Sequence, residues 1–451
     1  MTDAASAALV ALAADAYVYG SALVADLTRV DTFRTRGIGS TPPTDFNRFG
    51  HSGGPTVAGA GVVPVNNDTV YSVALLDLSG GPLLLDVPDS GGAYYVLQFV
   101  DAWTNNFAYV GRRATGTAEQ RLLLTPPHWH GTPPPGVGVM TCPTTVASIV
   151  GRYACDGPAD LPRVRALQQR LALAPLEPGG VYAGLPQPDP GTPAELLFLE
   201  RLRRWMAAFP PAAPDIEYQQ RFAPLGLLDT GASPYPGAAA EWTAALAEGL
   251  AAGEDRVEQA SRPPEDRPAG QPAGEWNANL HLFDYNLDQL GPGTLDDPRW
   301  RIADRRAAYL TRAVAARTGL WGNHAYEAAY ASTVEDTEGG VLTGARSYTL
   351  RFDATPPVGA FWSVTVYDLP DLALVANPAG RYSVGDRTPG LVYGADGSLT
   401  LHLRHRPPAD PAEAANWLPA PAGEFRPVIR MYQPGAEVLD GSYRLPGIRP
   451  R

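Results

Sequence analysis

The stretch VYSVALLDL, from Val70 to Leu78, predicts a β-strand because β-branched, aromatic and other apolar residues dominate it. Similar short segments follow up to residue 155, and glycine- and proline-rich turns separate them. They are PLLLDV (82–87), AYYVLQFV (93–100), FAYVG (107–111), RLLL (121–124), VGVM (137–140) and TVASIVGRY (145–153). Short strands at this spacing are typical of a β-sandwich or barrel.

The period of the apolar residues changes after residue 161. Up to residue 330 they recur at spacings of three and four, which predicts helices. The helical segments are RVRALQQRLAL (163–173), AELLFLERLRRWMAAF (194–209), AAEWTAALAEGLAAG (239–253) and PRWRIADRRAAYLTRAVAARTG (298–319). Strand-like segments then return as SYTLRF (347–352), AFWSVTVYD (360–368), SLTLHLRH (398–405) and RPVIRMYQP (426–434).

A faint internal repeat links the two strand-rich regions. GGAYYVLQFVDAW, around Asp101, resembles VGAFWSVTVYDLP, around Asp368, and IVGRY resembles VIRMY farther along. The predicted fold is therefore α+β, with two jelly-roll-like antiparallel β domains and a mainly helical middle segment. The predicted divisions are an N-terminal helix and arm at 1–39, a first β domain at 40–158, a helical segment at 159–339 and a second β domain at 340–451.

The composition excludes several classes of function. The chain of 451 residues contains no lysine, so its 35 basic residues are all arginines, and 47 acidic residues give a net charge of -12. The missing lysine excludes Schiff-base, pyridoxal-phosphate-lysine and P-loop chemistry. The negative charge argues against a nucleic-acid partner, which requires concentrated positive charge.

Two further features bear on the compartment. Cys142 and Cys155 fit neither a disulfide framework nor a zinc cluster, which favours a reducing, cytoplasmic environment. The N-terminal segment MTDAASAALVALAADAYVYG has no basic residues ahead of its apolar run, and Asp15 interrupts that run. We therefore expect an amphipathic helix, with neither a signal peptide nor a membrane span.

Long motifs in both halves resemble known families. VPVNNDTVYSVALLDLSGGPLLLDVPD and AYYVLQFVDAWTNNFAYVGRRATG resemble the domain-of-unknown-function family twelve fifty-four. GARSYTLRFDATPPVGAFWSVTVYD, RYSVGD and NWLPAPAGEFRPVIRMYQP resemble its usual partner, family twelve fourteen. The resemblance implies two jelly-roll-like β domains packed with helices and no established general activity. Many members of the family are exported, and the N-terminal segment here departs from that pattern.

Hydrogen-bonding side chains are crowded at the start of the first strand, in VNNDTVYS. A structural interpretation is that Asn66 and Asp68 form turns that begin the strand. A functional interpretation is that Asn67, Asp68, Thr69 and Tyr71 line the open end of a β-sandwich and orient a small ligand.

A second polar group, DAWTNNF, follows the strand AYYVLQFV. If this strand neighbours the first, Asp68 and Asp101 converge into a carboxylate pair suited to acid–base chemistry. Alternatively, Asp101 only caps a turn. In the second β domain, Arg430 lies in an apolar strand and requires a partner such as Asp368, for a structural role or for anion binding. The candidate catalytic residues are Asp68, Asp101 and Tyr71, and the candidate ligand-binding residues are Asn67, Thr69, Trp103, Asn105 and Arg430.

No motif indicates a cofactor. The sequence has no G-x-G-x-x-G, H-E-x-x-H or C-x-x-C pattern, so we expect no organic redox cofactor. His128 and His130 lie in a proline-rich segment that favours a loop over a metal site. We expect no metal centre, with a divalent cation held by oxygen ligands as the alternative.

Three functional hypotheses remain. The first is a small-molecule enzyme that uses acid–base side chains without an organic redox cofactor, as a hydrolase, lyase or isomerase. The second is a binding protein for a polyol or sugar-like ligand, and the third is a structural jelly-roll assembly protein. The expected partner is a small molecule, with no nucleic acid and no membrane, and homo-oligomers are compatible with each hypothesis.

Overall fold

The computed structural model describes residues 2–58, 66–262, 272–285 and 288–451. The helices in these ranges are α1 (Asp3–Arg36), α2 (Leu161–Arg170), α3 (Leu197–Ala208), α4 (Ala213–Gln220), α5 (Ala240–Ser261), α6 (Arg305–Gly319), α7 (Pro411–Ala415) and α8 (Ala436–Leu439). The strands are β1 (Phe49–His51), β2 (Thr69–Asp77), β3 (Leu83–Val87), β4 (Tyr95–Asp101), β5 (Asn106–Gly111), β6 (Gln120–Thr125), β7 (Gly138–Thr141), β8 (Val146–Ala154), β9 (Ala172–Pro175), β10 (Ala328–Ser332), β11 (Tyr348–Phe352), β12 (Val358–Asp368), β13 (Ser383–Gly385), β14 (Leu399–Arg404), β15 (Trp417–Pro419), β16 (Phe425–Pro434) and β17 (Arg449–Pro450).

The first β domain is a sandwich of two sheets. One sheet has the order β1-β2-β8-β4-β5 with antiparallel neighbours, and the other has the order β7-β6-β3-β9. Alternate side chains of the two sheets meet in one core, which contains Val70 and Ala74 of β2 and Leu83 and Leu85 of β3. This burial explains why the apolar segments between residues 70 and 155 form strands.

The second β domain repeats this arrangement. Its sheets have the orders β10-β16-β12-β13 and β15-β14-β11-β17. Strands β2 to β9 and β10 to β17 therefore follow the same neighbour order, and in each domain one edge pair, β6–β7 or β14–β15, is parallel. The α+β fold with two β domains is confirmed, and the topology agrees with the internal repeat seen in the sequence.

The helical middle packs around α1. Side chains of α1 such as Leu23, Leu27 and Phe33 are buried in a core shared with α3, α5 and α6. Helices α5 and α1 lie so close together at Gly249 that a Cβ atom there would be 2.4 Å from the carbonyl oxygen of Val10. Helix α1 is long and apolar enough to cross a membrane by length and composition, but half of its most apolar window is buried inside the protein.

The divisions of the β domains differ from the predicted ones. Strand β9 pairs with β3, so the first domain includes residues beyond 158. Strand β10 pairs with β16, so the second domain includes residues before 340. Both strands are short edge strands, and their pairing partners lie far away in the sequence.

The two β domains lie against each other through one sheet from each. The ring of Tyr94, beside β4, contacts Phe361 of β12 and Tyr432 of β16, with ring centroids 5.5 and 5.7 Å apart. Part of the outer face of β2, β8 and β4 therefore meets the outer face of β10, β16 and β12, while Val73 and Leu75 of β2 pack in the core shared with the helices. The polar side chains on these two faces form the candidate site.

Candidate functional site

Asp68 lies at the start of β2 and reaches into the second β domain. Its backbone N–H donates to Asn66 Oδ1 at 2.6 Å, which forms the turn that the structural interpretation predicted. Its carboxylate, 4% exposed, accepts a hydrogen bond from Ser363 Oγ at 2.6 Å. Tyr432 Oη also lies 3.5 Å from Asp68 Oδ2. Asp68 thus serves the turn through its backbone and the domain interface through its side chain.

The residues that neighbour Asp68, just before β2, strengthen this interface. Asn66 Nδ2 donates to the hydroxyl of Tyr432 at 2.7 Å, and Ser383 Oγ donates to Asn67 Oδ1 at 3.1 Å. Arg387 donates to the carbonyl oxygen of Asp68 at 2.9 Å. The segment just before β2 therefore contacts β12, β13 and β16 of the other domain.

Arg430 lies at the centre of the second domain's outer face. The residues before and after it, Ile429 and Met431, point into the sandwich core, so alternation along β16 turns Arg430 towards the first domain. Arg430 is 5% exposed. Its guanidinium group donates to Thr365 Oγ1 at 3.1 Å and to the hydroxyl of Tyr367 at 2.6 Å.

The predicted pair between Arg430 and Asp368 is wrong. Asp368 is paired with Phe425 in the register of β12 and β16, five residues away from Arg430 along the strand. Its carboxylate instead accepts the backbone N–H of Ala373 at 2.7 Å. Arg430 uses neutral hydroxyl groups as acceptors.

Arg152 is the corresponding buried arginine of the first domain. It lies on β8 opposite Tyr71 of β2, and its guanidinium carbon is 5.4 Å from the centre of the Tyr71 ring. It donates to Gln98 Oε1 and to the carbonyl oxygen of Trp321, each at 2.7 Å. These acceptors are neutral, and the residue is 6% exposed.

Tyrosine side chains connect the two arginines. Tyr330 on β10 interacts electrostatically with Arg152 and Arg430, and Tyr432 with Asp68 and Arg430. Burial raises the pKa of Tyr330 and raises that of Tyr432 well above its ordinary value, so both hydroxyl groups stay protonated near neutral pH. We name the following set the interdomain cluster: Asp68, Tyr71, Arg152, Tyr330, Tyr367, Arg430 and Tyr432.

The interdomain cluster is rich in positive charge. It contains two guanidinium groups and one carboxylate. No carboxylate among residues 2–58, 66–262, 272–285 and 288–451 lies within 4.0 Å of Arg152 or Arg430. Tyr71 and Tyr330 keep part of their surface accessible, so the cluster is not sealed on all sides.

A buried ion pair borders the cluster. Glu327, just before β10, accepts hydrogen bonds from Arg113 Nε at 2.5 Å and from the hydroxyl of Tyr94 at 2.9 Å. Burial raises the pKa of Glu327, and Arg113 opposes that shift. The pair ties β4, the loop after β5 and β10 together.

Asp101 does not share a site with Asp68, so the predicted carboxylate pair is wrong. Strands β2 and β4 are both antiparallel to β8 and therefore run in the same direction. Asp68 precedes β2 and Asp101 ends β4, which places them at opposite ends of the sheet. In the register through β8 they are eight residues apart along the strand direction, or about 26 Å at about 3.3 Å per residue.

The residues around Asp101 have a structural role. Its carboxylate accepts hydrogen bonds from the backbone of Trp103 and from the backbone and side chain of Asn105, at 2.8 to 2.9 Å. Trp103 Nε1 donates to the carbonyl oxygen of Phe209, and Arg312 donates to Asn105 Oδ1. Asp101 therefore caps a turn, as the alternative interpretation of the sequence predicted.

A different carboxylate lies near Asp101. Asp26 of α1 is 2% exposed and accepts a hydrogen bond from Trp321 Nε1 at 2.7 Å. Burial raises the pKa of Asp26 well above its ordinary value, and the charge of Asp101 raises it further. The sequence offered one signal for Asp26, an acidic residue in an apolar helix.

The sequence thus predicted part of the interdomain cluster. Asn67, Asp68, Thr69, Tyr71 and Arg430 lie at the domain interface. Asp101, Trp103 and Asn105 lie elsewhere. The residues missed were Arg152, Tyr330, Tyr367 and Tyr432. An arginine inside the apolar strand IVGRY was a usable signal for Arg152, since a buried arginine needs polar partners.

The chain is similar to proteins of known structure. The crystal structure of the VPA0106 protein from Vibrio parahaemolyticus matches with a TM-score of 0.72 and 22% sequence identity, over 98% of this chain and 100% of that chain. A protein from Burkholderia cenocepacia matches with a TM-score of 0.45 and 12% identity, over 99% of this chain and 96% of that one. No curated protein matches significantly in sequence. The first match supports the fold.

Family models match both β domains. Residues 46–175 match a protein family of unknown function, DUF1254, and these residues contain β1 to β9. Residues 327–436 match a second family of unknown function, DUF1214, and contain β10 to β16. The first β domain of this chain therefore belongs to the family DUF1254, and the second belongs to the family DUF1214.

Proposed function

We propose that the protein is an enzyme that acts on a small organic molecule by acid–base chemistry in the interdomain cluster. The observation that carries this proposal is the position of Asp68, a buried carboxylate that interacts with Arg430 and with the protonated Tyr432 in the interdomain cluster. Its Oδ2 atom accepts from Ser363, while its Oδ1 atom accepts no hydrogen bond from the described residues. That oxygen can accept a proton from a substrate.

The remaining groups supply the other requirements of such a reaction. Tyr330 and Tyr432 are protonated hydroxyl groups that can donate a hydrogen bond or a proton to a substrate oxygen. Arg152 and Arg430 stabilise negative charge that develops while the proton moves to Asp68. Proton abstraction of this kind is common to hydrolases, lyases and isomerases, and it needs no organic redox cofactor.

A turnover screen tests the proposal. Wild-type protein is incubated with a panel of small hydroxy acids, keto acids, esters and lactones, and product formation is followed by mass spectrometry. Asp68→Asn should reduce turnover at least about 100-fold, since positioned acid–base groups typically contribute this much. Asp368→Asn is the matched control, because its carboxylate also lies at a strand end and, among the described residues, accepts one backbone N–H. Equal turnover by wild type and Asp68→Asn would refute the role of Asp68.

One observation favours a second candidate, a binding protein without turnover. Tyr71 and Tyr330 are partly accessible residues beside buried hydrogen-bonding groups, and tyrosine side chains suit stacking against a polyol or sugar-like ring. Ligand-dependent shifts of the melting temperature without product would support this candidate. Product formation that depends on Asp68 would support the enzyme.

A further inference from the structure

We propose that the ligand of the interdomain cluster is a small organic acid, held through its carboxylate by Arg152 and Arg430. This inference rests on the proposed function for the location of the site, and it adds the chemical class of the substrate. It is carried by the charges, the hydrogen bonds and the accessible surface of the cluster.

The charges of the cluster are unbalanced. Asp68 is its single carboxylate, and it interacts with the guanidinium group of Arg430. Glu327 at the border interacts with Arg152, but it is already paired with Arg113. Arg426, four residues before Arg430 on β16, adds positive charge beside Tyr367. Arg387 at the edge adds none, because Asp156 lies 2.9 Å from it. A buried, uncompensated guanidinium group is costly, so an anion between the arginines would stabilise the folded protein.

Arg430 also has an unused donor. Arg430 donates through Nη1 and Nη2 to two hydroxyl groups, and Arg152 donates through the same two atoms to neutral oxygens. In the described part of the chain, the hydrogen bonds of Arg430 do not involve its Nε–H, while Arg152 also forms a side-chain hydrogen bond with Tyr71. A guanidinium group binds a carboxylate through two parallel N–H donors, so a free Nε–H suits this geometry.

The rest of the cluster suits an acid with a second polar group. Tyr71 and Tyr330 are partly accessible and lie beside the arginines, so the cluster is not fully buried. Asp68, next to Arg430 in the cluster, would face the carbon or oxygen atom adjacent to the bound carboxylate. The chemistry therefore favours a short-chain carboxylic acid with an acidic C–H or O–H group near its carboxylate.

Binding measurements with matched pairs test this inference. Isothermal titration calorimetry compares propionate with propionamide, lactate with lactamide, and inorganic phosphate, on wild-type protein. We expect each carboxylate to bind at least tenfold more tightly than its amide and more tightly than phosphate. Equal binding of acid and amide, or binding of phosphate alone, would overturn the carboxylate assignment.

Variants assign the binding to the cluster. Arg430→Gln should weaken lactate binding at least tenfold. Arg312→Gln is the matched control, since Arg312 is also buried and donates to the carbonyl oxygens of Trp103 and Tyr285, away from the cluster. Circular dichroism confirms that each variant is folded, and the comparison of acid and amide on wild type remains decisive if a variant fails to fold. Unchanged lactate binding by folded Arg430→Gln would refute the site.

The outcomes separate this inference from the proposed function. Carboxylate binding without any turnover would retain the ligand class and reject the enzyme. Turnover of a neutral substrate that depends on Asp68, without carboxylate binding, would retain the enzyme and reject the ligand class.

Discussion

Substitution of Asp68 by asparagine should destabilise the protein by about 2–3 kcal/mol. The hydrogen bond from Ser363 at 2.6 Å changes from a charged to a neutral acceptor, which costs about 1 kcal/mol. The attraction to Arg430 is also lost. The two groups are more than 4.0 Å apart, so at an effective dielectric constant of about 20 this attraction is below about 4 kcal/mol. The lower desolvation cost of the amide offsets part of the loss.

Urea unfolding followed by tryptophan fluorescence measures this effect. The asparagine side chain keeps the size of the aspartate, and the backbone bond from Asp68 to Asn66 remains, so the fold should persist. Asp368→Asn serves as the control and should change the free energy of unfolding by about 1 kcal/mol or less. A change below about 1 kcal/mol for Asp68→Asn would refute the claim that its charge offsets that of the buried arginines.

Three further predictions concern other buried groups. Asp26 has a raised pKa, so its contribution to stability is fully present below about pH 4 and is lost as the pH rises through the folded-state pKa. Asp26→Asn should therefore stabilise the protein at about pH 8 and have little effect at about pH 4. Urea titrations at the two pH values measure this difference. Arg113→Gln leaves Glu327 buried without its partner and should cost about 3–5 kcal/mol at about pH 8, with a smaller cost at about pH 4.5, where Glu327 is more protonated. Gly249→Ala should lower stability by about 1–2 kcal/mol in thermal unfolding, because the clash with Val10 outweighs a gain of about 1 kcal/mol in helix propensity.

Each of these predictions has an outcome that contradicts it. A stability difference for Asp26→Asn that does not vary with pH would show that Asp26 is not protonated preferentially in the folded state. A pH-independent cost for Arg113→Gln would rule out protonation of Glu327 as the compensating event. Stabilisation by Gly249→Ala would show that α1 and α5 can separate without cost, and exposed Ala251→Gly measures helix propensity alone in the same helix.

The sequence predicts the elements well where one period dominates. The strand VYSVALLDL forms β2, and the helical spacing in AAEWTAALAEGLAAG forms α5. RVRALQQRLAL shows the limit, because its helix ends at Arg170 and the last residues form edge strand β9. The partner that decides this, β3, lies about 90 residues earlier, and the spacing of apolar residues within a segment carries no information about such a partner.

The site was harder to predict for a topological reason. The turn at Asp68 follows from local sequence, since asparagine and aspartate favour such turns. Whether Asp68 meets Asp101 depends on strand β8, which lies between β2 and β4 and makes them run in the same direction. The placement of Arg152 and Arg430 near the same residue, Tyr330, depends on which faces of two separate sandwiches pack together. Neither fact is contained in residue spacing.

A crystal structure with lactate bound would show whether the interdomain cluster holds a carboxylate. We expect the carboxylate of lactate to lie between the two β domains, within hydrogen-bond distance of Arg152 or Arg430, with its hydroxyl group next to the Asp68 carboxylate. Lactate bound outside the interdomain cluster, at full occupancy and with the cluster unchanged, would contradict it.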